Sequence, residues 1–356
     1  MNLKKISLLL ISIFFLSSCE KEEPVPAEPV EMGYRNGLII LNEGNFGSAN
    51  ASVSFLNENT NETEKQLFQN VNGSPLGDTA QSMAFYEDLA IIVLNVSNKI
   101  EIVNRETFQS VASITTNVSN PRYALVENGE LYVSNWGDGM DPADDFIAVF
   151  DISNYSFKEK IEVSEGPEQM KVANNSLYVA HIGGFSYSDK ISVIDLASKI
   201  VKKQIEVGFR PNSMVVDGDK LWVLSSGKSD YPDPAEETSG SLASIDLNTG
   251  EVISKLDFSG NAHPDHLVIY NNNLFYTIGK SVFKFEPAGT LSDTPVFIAE
   301  EAAILYGFSI KDNKAYIASP NADYTGDGNL YIYDLSDGSL LDQYSTGINP
   351  NSVYFN

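Results

Sequence analysis

Nucleophilic, redox and imidazole chemistry have few side chains to work with in this chain, which carries three histidines and one cysteine. Two of the histidines frame a carboxylate in the run His263-Pro-Asp-His266. Two imidazoles and one aspartate fall a ligand short of a firm zinc site, so structural or ligand-contacting roles suit them better. Asp323, Asp327 and Asn329, with Asp334 at the twelfth position, approximate an acidic calcium loop, in which oxygen ligands alternate and glycine makes the sharp turn. Thr325 replaces one acidic ligand, and Asp334 doubles as a turn residue of a repeat, so calcium stays open as an alternative. No residue requires any other cofactor. No nucleophile stands beside an orienting base, and the expectation is a protein that is not an enzyme.

A second population of side chains is suited to binding. Asn45, Phe46, Trp136, His181, Phe185, Tyr187, Tyr231 and Tyr324 fall in long irregular stretches. Arg122, Tyr123, Gln169, Arg210, Asn212, His263, His266 and Tyr306 stand at the openings of recurring segments. Aromatic faces with amides and two arginines suit a large, flat, amide-rich ligand. Each aromatic has the competing role of packing its own loop. Arg122 and Arg210, read as equivalent positions, are divided between a salt bridge to an acidic neighbour such as Glu168 and a contact to a ligand phosphate or carboxylate. His266 is read at the position that Asn212 and Asn351 hold in other repeats.

The elements that must position these residues repeat along the chain, and a repeat decides the fold before any motif does. Segments opening at Pro121, Pro167, Pro211 and Pro264, with looser copies at Ala80 and Leu305, are each followed ten residues later by a second apolar stretch: Ala90, Leu131, Leu177, Leu221, Leu274 and Ala315. Asn, Gly and Asp between them supply the positive φ of a tight hairpin. A third, alternating stretch occurs seven times, at 52–57, 99–104, 146–151, 190–195, 241–246, 281–286 and 329–334, and a fourth strand completes each unit. Four antiparallel strands per roughly 45 residues is the unit of a propeller blade.

The first repeat lacks its opening strand, since Gly37 to Asn42 aligns with the second stretch, and the chain ends in an opening strand with nothing after it, Asn349 to Phe355. The expected fold is therefore all-β: a seven-bladed β-propeller over residues 35–356, closed by pairing the C-terminal strand with the N-terminal blade, so that no edge is left to template aggregation. Loops before each first strand and between second and third strands then share one face. Binding residues gather on such loops over a rigid scaffold.

Ahead of the repeats, Lys4 and Lys5 precede an apolar run, Ile6 to Leu16, about half the length needed to span a bilayer, which reads as the core of a signal peptide over residues 1–18. The run ends in Leu16-Ser17-Ser18-Cys19, which resembles a lipoprotein cleavage box with lipid carried on Cys19. Two or three acyl chains make such an anchor effectively permanent. Residues 19–34, acidic and then rich in proline, read as a flexible linker. Their Cys-Glu-Lys-Glu-Glu start is similar to the acidic export signal of Bacteroidetes-type lipoproteins, implying the outer face of the outer membrane. The chain's formal net charge of −25 sets it against nucleic acid and anionic headgroups, so contact with a membrane is expected through the anchor alone.

The pattern Pro211-Asn-Ser-Met-Val-Val216, with Leu221-Trp-Val223, Ile245-Asp-Leu247 and Val207-Gly-Phe-Arg-Pro211, resembles YVTN-type propeller repeats over essentially the whole chain after the linker. The run Asn42-Glu-Gly-Asn-Phe-Gly47, followed by Ala51-Ser-Val-Ser-Phe55, also resembles the opening of a narrower group of Bacteroidetes lipoproteins, cell-surface cobalamin-binding propellers that cap a TonB-dependent transporter. That resemblance implies cobalamin or another large nutrient as ligand and such a transporter as partner; a monomer is expected. The competing class, a cell-envelope interaction or adhesion propeller without a small ligand, shares the fold and stays open.

Overall fold

The structure, a computed structural model, describes residues 33–231 and 233–356. The signal peptide, Cys19 and nearly all of the linker lie outside the described residues. The described residues form seven four-stranded antiparallel sheets. Blade 1 runs, from the inside out, Pro350–Phe355, Gly37–Asn42, Ser52–Asn57 and Glu62–Glu64. The other six each use four consecutive strands, with inner strands Ala80–Tyr86, Pro121–Glu127, Pro167–Ala173, Pro211–Asp217, Pro264–Tyr270 and Gly307–Lys311 for blades 2 to 7.

Second strands read as unbroken apolar runs because both of their faces are covered, as in a buried parallel sheet. Gly37–Asn42 is buried along its whole length, and Leu89–Leu94 at every residue but the first. Fourth strands instead alternate or stay exposed, as in Phe157–Glu162 and Glu251–Asp257. The buried side chains fall into seven clusters, one per seam between adjacent blades. Blades 2 and 3, for example, share Ile91, Val93, Leu131 and Val133.

The closing seam is as complete as the others. Leu38, Ile40 and Leu56 of blade 1 pack on Tyr316, Ala318 and Leu330 of blade 7, with Val353 from the last strand. In the closing pair Leu38 faces Phe355, Ile39 faces Tyr354 and Ile40 faces Val353. The Asn356 backbone N–H donates to the Gly37 carbonyl at 3.1 Å, and Arg105 Nε donates to the Asn356 side chain at 2.7 Å. Blade 7 approaches so closely that a Cβ on Gly307 would lie 2.2 Å from the Asn351 carbonyl oxygen.

Two features depart from the sequence reading. A one-and-a-half-turn helix, Leu67–Asn72, bridges blades 1 and 2 and buries Leu67 and Phe68 in their seam; six residues are too few to show a helical period. Inner strands of blades 1 to 6 carry a register shift near their start, a bulge that re-aims the side chains at the channel mouth.

Candidate functional site

The residue just before the inner strand takes a left-handed conformation in five blades: Thr79, Asn120, Gly166, Arg210 and Asn349, with φ between 51° and 64°. That bend turns the following residues into the channel mouth. The position after the strand's first residue is occupied around the ring by Gln81, Arg122, Glu168, Asn212, Asp265 and Asn351, with Tyr306 from blade 7. Arg122 and Arg210 are therefore not equivalent, because Arg122 follows the first residue of its strand and Arg210 precedes it. Likewise Asp265, not His266, shares the position of Asn212 and Asn351, and His266 is the next residue, with φ 59°.

Polar groups at the mouth stitch one blade to the next. Arg122 Nε donates to Glu168 Oε1 at 2.6 Å, and its guanidinium lies 4.0 Å from the centroid of the Trp136 ring. Asn212 Nδ2 donates to the Pro264 carbonyl and Asn351 Nδ2 to the Ala80 carbonyl, both at 2.9 Å. Gln169 Oε1 accepts from the Met214 backbone N–H at 3.3 Å. His266 Nε2 lies 3.2 Å from the Tyr306 carbonyl oxygen, and its Nδ1 lies 2.9 Å from Thr277 Oγ1. Glu43 reaches in from blade 1, accepting from Asn351 Nδ2 at 2.9 Å and from the Tyr306 hydroxyl at 3.2 Å. Burial pushes the Glu43 and Glu168 carboxyls up, against the pull of their donors. Burial and the neighbouring Glu43 also push the Tyr306 hydroxyl up.

Glu43, Glu168, Gln169, Asn212, His266, Tyr306 and Asn351 line a cavity of about 410 Å³, together with Tyr123 and Arg210, whose guanidinium makes no ion pair or hydrogen bond among the described residues. Above it stand the loops joining second to third strands. They are long in blades 1, 3, 4, 5 and 7 and short in blade 2, between Leu94 and Lys99, and in blade 6, between Ile278 and Ser281. Blades 7 and 1 form one wall and blades 3, 4 and 5 the other, leaving two notches nearly opposite each other.

Four of the five long loops present an exposed aromatic ring: Phe46 at 82% exposure, Phe185 at 72%, Tyr231 at 79% and Tyr324. The fifth, in blade 3, presents Met140. Hydrogen bonds tie several of these loops to their neighbours. Asn45 Nδ2 donates to the Tyr324 carbonyl at 2.6 Å, and Asp78 accepts from the Ala49 backbone N–H at 3.0 Å. The Tyr187 hydroxyl donates to the Tyr231 carbonyl at 3.0 Å. Tyr324 is edge-on to Tyr306, and Phe185 is edge-on to Trp136, whose Nε1 donates to the Pro167 carbonyl.

Other expected residues sit elsewhere. His181 is fully buried inside blade 4, with Nε2 2.8 Å from Ser192 Oγ, and burial holds its imidazole down at about 4. His263 hydrogen-bonds the Ser226 carbonyl and Glu237 rather than meeting His266 at a shared ligand. Among the described residues no three His, Cys, Asp or Glu side chains gather as a metal site would require. In the acidic loop, Lys65 Nζ lies 2.8 Å from Asp327 Oδ2, Asn329 Oδ1 accepts from Gln343, and Asp323 caps its own turn at Thr325.

Glu43, Gln81 and Met140 were not singled out by the sequence reading, and Asp265 entered it only as a metal-ligand candidate. Gln81 and Asp265 share an offset with Arg122 and Asn212 and are recoverable by aligning the repeats. Glu43 carries no local signal, since Tyr306 lies 263 residues away.

Residues 36–353 match the family described as a domain of unknown function, DUF5074. No curated protein matches the chain. Among solved structures, the chain is similar to a putative 6-phosphogluconolactonase from Bacteroides fragilis, at 16% identity and a TM-score of 0.62, covering 90% of this chain and 98% of that one. It is also similar to a protein from Lactobacillus plantarum, at 14% identity and a TM-score of 0.63, covering 90% and 99%. A functionally unknown protein from Desulfotomaculum acetoxidans gives 13% identity and a TM-score of 0.63, covering 90% and 98%. At these identities the likeness is one of fold.

Proposed function

We propose that this chain, which belongs to the DUF5074 family, is a binding propeller that takes a large, flat, amide-rich nutrient across the mouth of its loop face. The observation that carries this is the crown of exposed apolar side chains, Phe46, Met140, Phe185, Tyr231 and Tyr324, one from each long loop between second and third strands. Rings carried on loops that hydrogen bonds already tie down lose less freedom when a ligand covers them, which favours binding. Most polar groups beneath are already committed to joining blades, an arrangement suited to recognition more than to catalysis. Within this reading, lipid on Cys19 tethers the propeller to the outer face of the outer membrane, and the bound ligand passes to a TonB-dependent transporter.

Cobalamin is the ligand implied by the resemblance at Asn42 to Gly47 and Ala51 to Phe55. Titration of cyanocobalamin into residues 24–356 tests it. Heat release and a change in the corrin spectrum at micromolar concentrations are expected, both weakened by Phe46→Ala with Tyr231→Ala. A flat titration removes cobalamin as the ligand. Recovery of an outer-membrane transporter with the unliganded protein would instead favour the interaction-propeller class.

A further inference from the structure

A second cavity, of about 400 Å³, opens at the seam of blades 3 and 4, away from the central channel. Its walls are Trp136, Met140, Pro142 and Phe185, and the charged groups among its lining residues are two carboxylates, Asp145 and Glu165. Asp145 is 4% exposed. Its Oδ2 accepts from the Gly166 backbone N–H at 3.0 Å, while its Oδ1 is buried without any hydrogen-bond partner. A buried carboxylate oxygen left unmatched is costly and marks a place where a donor is missing. Asp144, Glu165 and Asp141 add repulsion to the burial that raises the Asp145 carboxyl, to about 7. Nearby cations are turned to other tasks. Arg122 pairs with Glu168 and stacks on Trp136, and Lys160 lies over the Phe146 ring.

We infer that this cavity binds a primary ammonium carried on an apolar or aromatic body. The ammonium donates to Asp145 and Glu165, replacing the missing donor with charge-assisted hydrogen bonds. The body lies against Phe185 and Met140, with the aromatic rings adding cation–π attraction. A neutral ligand would leave Oδ1 unmatched, and an anion would meet two carboxylates. The inference does not rest on the large-nutrient reading, although the two share Phe185 and Trp136.

Calorimetric titration of the full-length protein in detergent with 2-phenylethylamine, against its neutral isostere 2-phenylethanol, tests it at pH 8. The amine is expected to bind saturably, with the alcohol weaker by about tenfold or more. Asp145→Asn, which keeps an acceptor for Gly166, should lower amine affinity by a similar factor and leave the alcohol unchanged. Phe185→Ala, on an exposed ring that the fold does not need, should weaken both. Equal affinity for amine and alcohol, an Asp145→Asn protein that binds the amine as well as the wild type, or no saturable binding at millimolar amine overturns the inference. Failure of the cobalamin titration leaves it standing.

Discussion

The backbone N–H of Met83 donates to the hydroxyl of Tyr354 at 2.8 Å, so the last strand is tied to the second blade as well as the first. Tyr354 also packs edge-on to Phe85, with Arg105 over the Phe85 ring. Tyr354→Phe keeps the ring and strands the Met83 donor, which should cost about 1–2 kcal/mol in urea unfolding. Truncation before Pro350 should do more, converting a single cooperative transition into a broad one with dye-binding apolar surface exposed. An unchanged midpoint for the truncated chain would show that closure contributes nothing.

Arg122 and Glu168 form a pair in which both side chains are largely buried. Removing one charge leaves the other uncompensated, so Arg122→Met or Glu168→Gln alone should destabilise by about 3 kcal/mol. The double variant should recover most of that loss. A double-mutant cycle in urea reads the coupling, and additive single effects would mean that the pair is not coupled in solution.

His181 and Asp145 impose opposite pH slopes. The His181 imidazole is held at about 4 in the folded chain against an ordinary 6.5, so the unfolded chain binds the extra proton between those values. Stability therefore falls as pH drops from 6.5 to 4, by about 3 kcal/mol from this group. The Asp145 carboxyl keeps its proton up to about 7 in the folded chain against an ordinary 3.8, so its contribution falls as pH rises through that window. His181→Asn should remove the first slope and Asp145→Asn the second, read from unfolding midpoints between pH 4 and 8. Parallel curves for the wild type and either variant would contradict the assignment.

Lys65 holds its ammonium 2.8 Å from both Asp327 Oδ2 and Ser345 Oγ, in the place a cation would take on the acidic loop. Exchange of calcium for a chelator should accordingly leave the thermal midpoint unchanged. A rise with calcium that saturates would show a bound ion, by mass action on the folded state.

Third strands were the most legible part of the sequence. Ser52–Asn57, Lys99–Asn104, Phe146–Asp151, Lys190–Asp195 and Ser241–Asp246 begin and end where alternation and the terminal Asn or Asp place them. The terminal carboxylate or amide caps the next turn, as Asp151 does for the Ser153 N–H and Asp246 for the Asn248 N–H, so the boundary is written in local chemistry. Ring closure was legible because a missing first strand and a surplus last strand complement each other. The mouth was less so. Two of its contacts, Glu43 with Tyr306 and Asn351 with Ala80, join segments that become neighbours only on closure. Arg122 follows the opening proline of its repeat and Arg210 precedes its own, in the left-handed position before the inner strand, a one-residue offset on either side of proline that separates their roles.

The inner partner of Gly37–Asn42 comes far later in the chain than its outer partner Ser52–Asn57, with 308 residues separating Glu43 from Asn351. At roughly 5–20 residues per second, that first apolar strand waits roughly 15–60 s for its inner neighbour. Until the ribosome has delivered Phe355, the nascent polypeptide has no finished first sheet to fold into. Over that interval the inner edge of the first blade stands uncovered, the kind of unpaired strand edge that invites association with other chains.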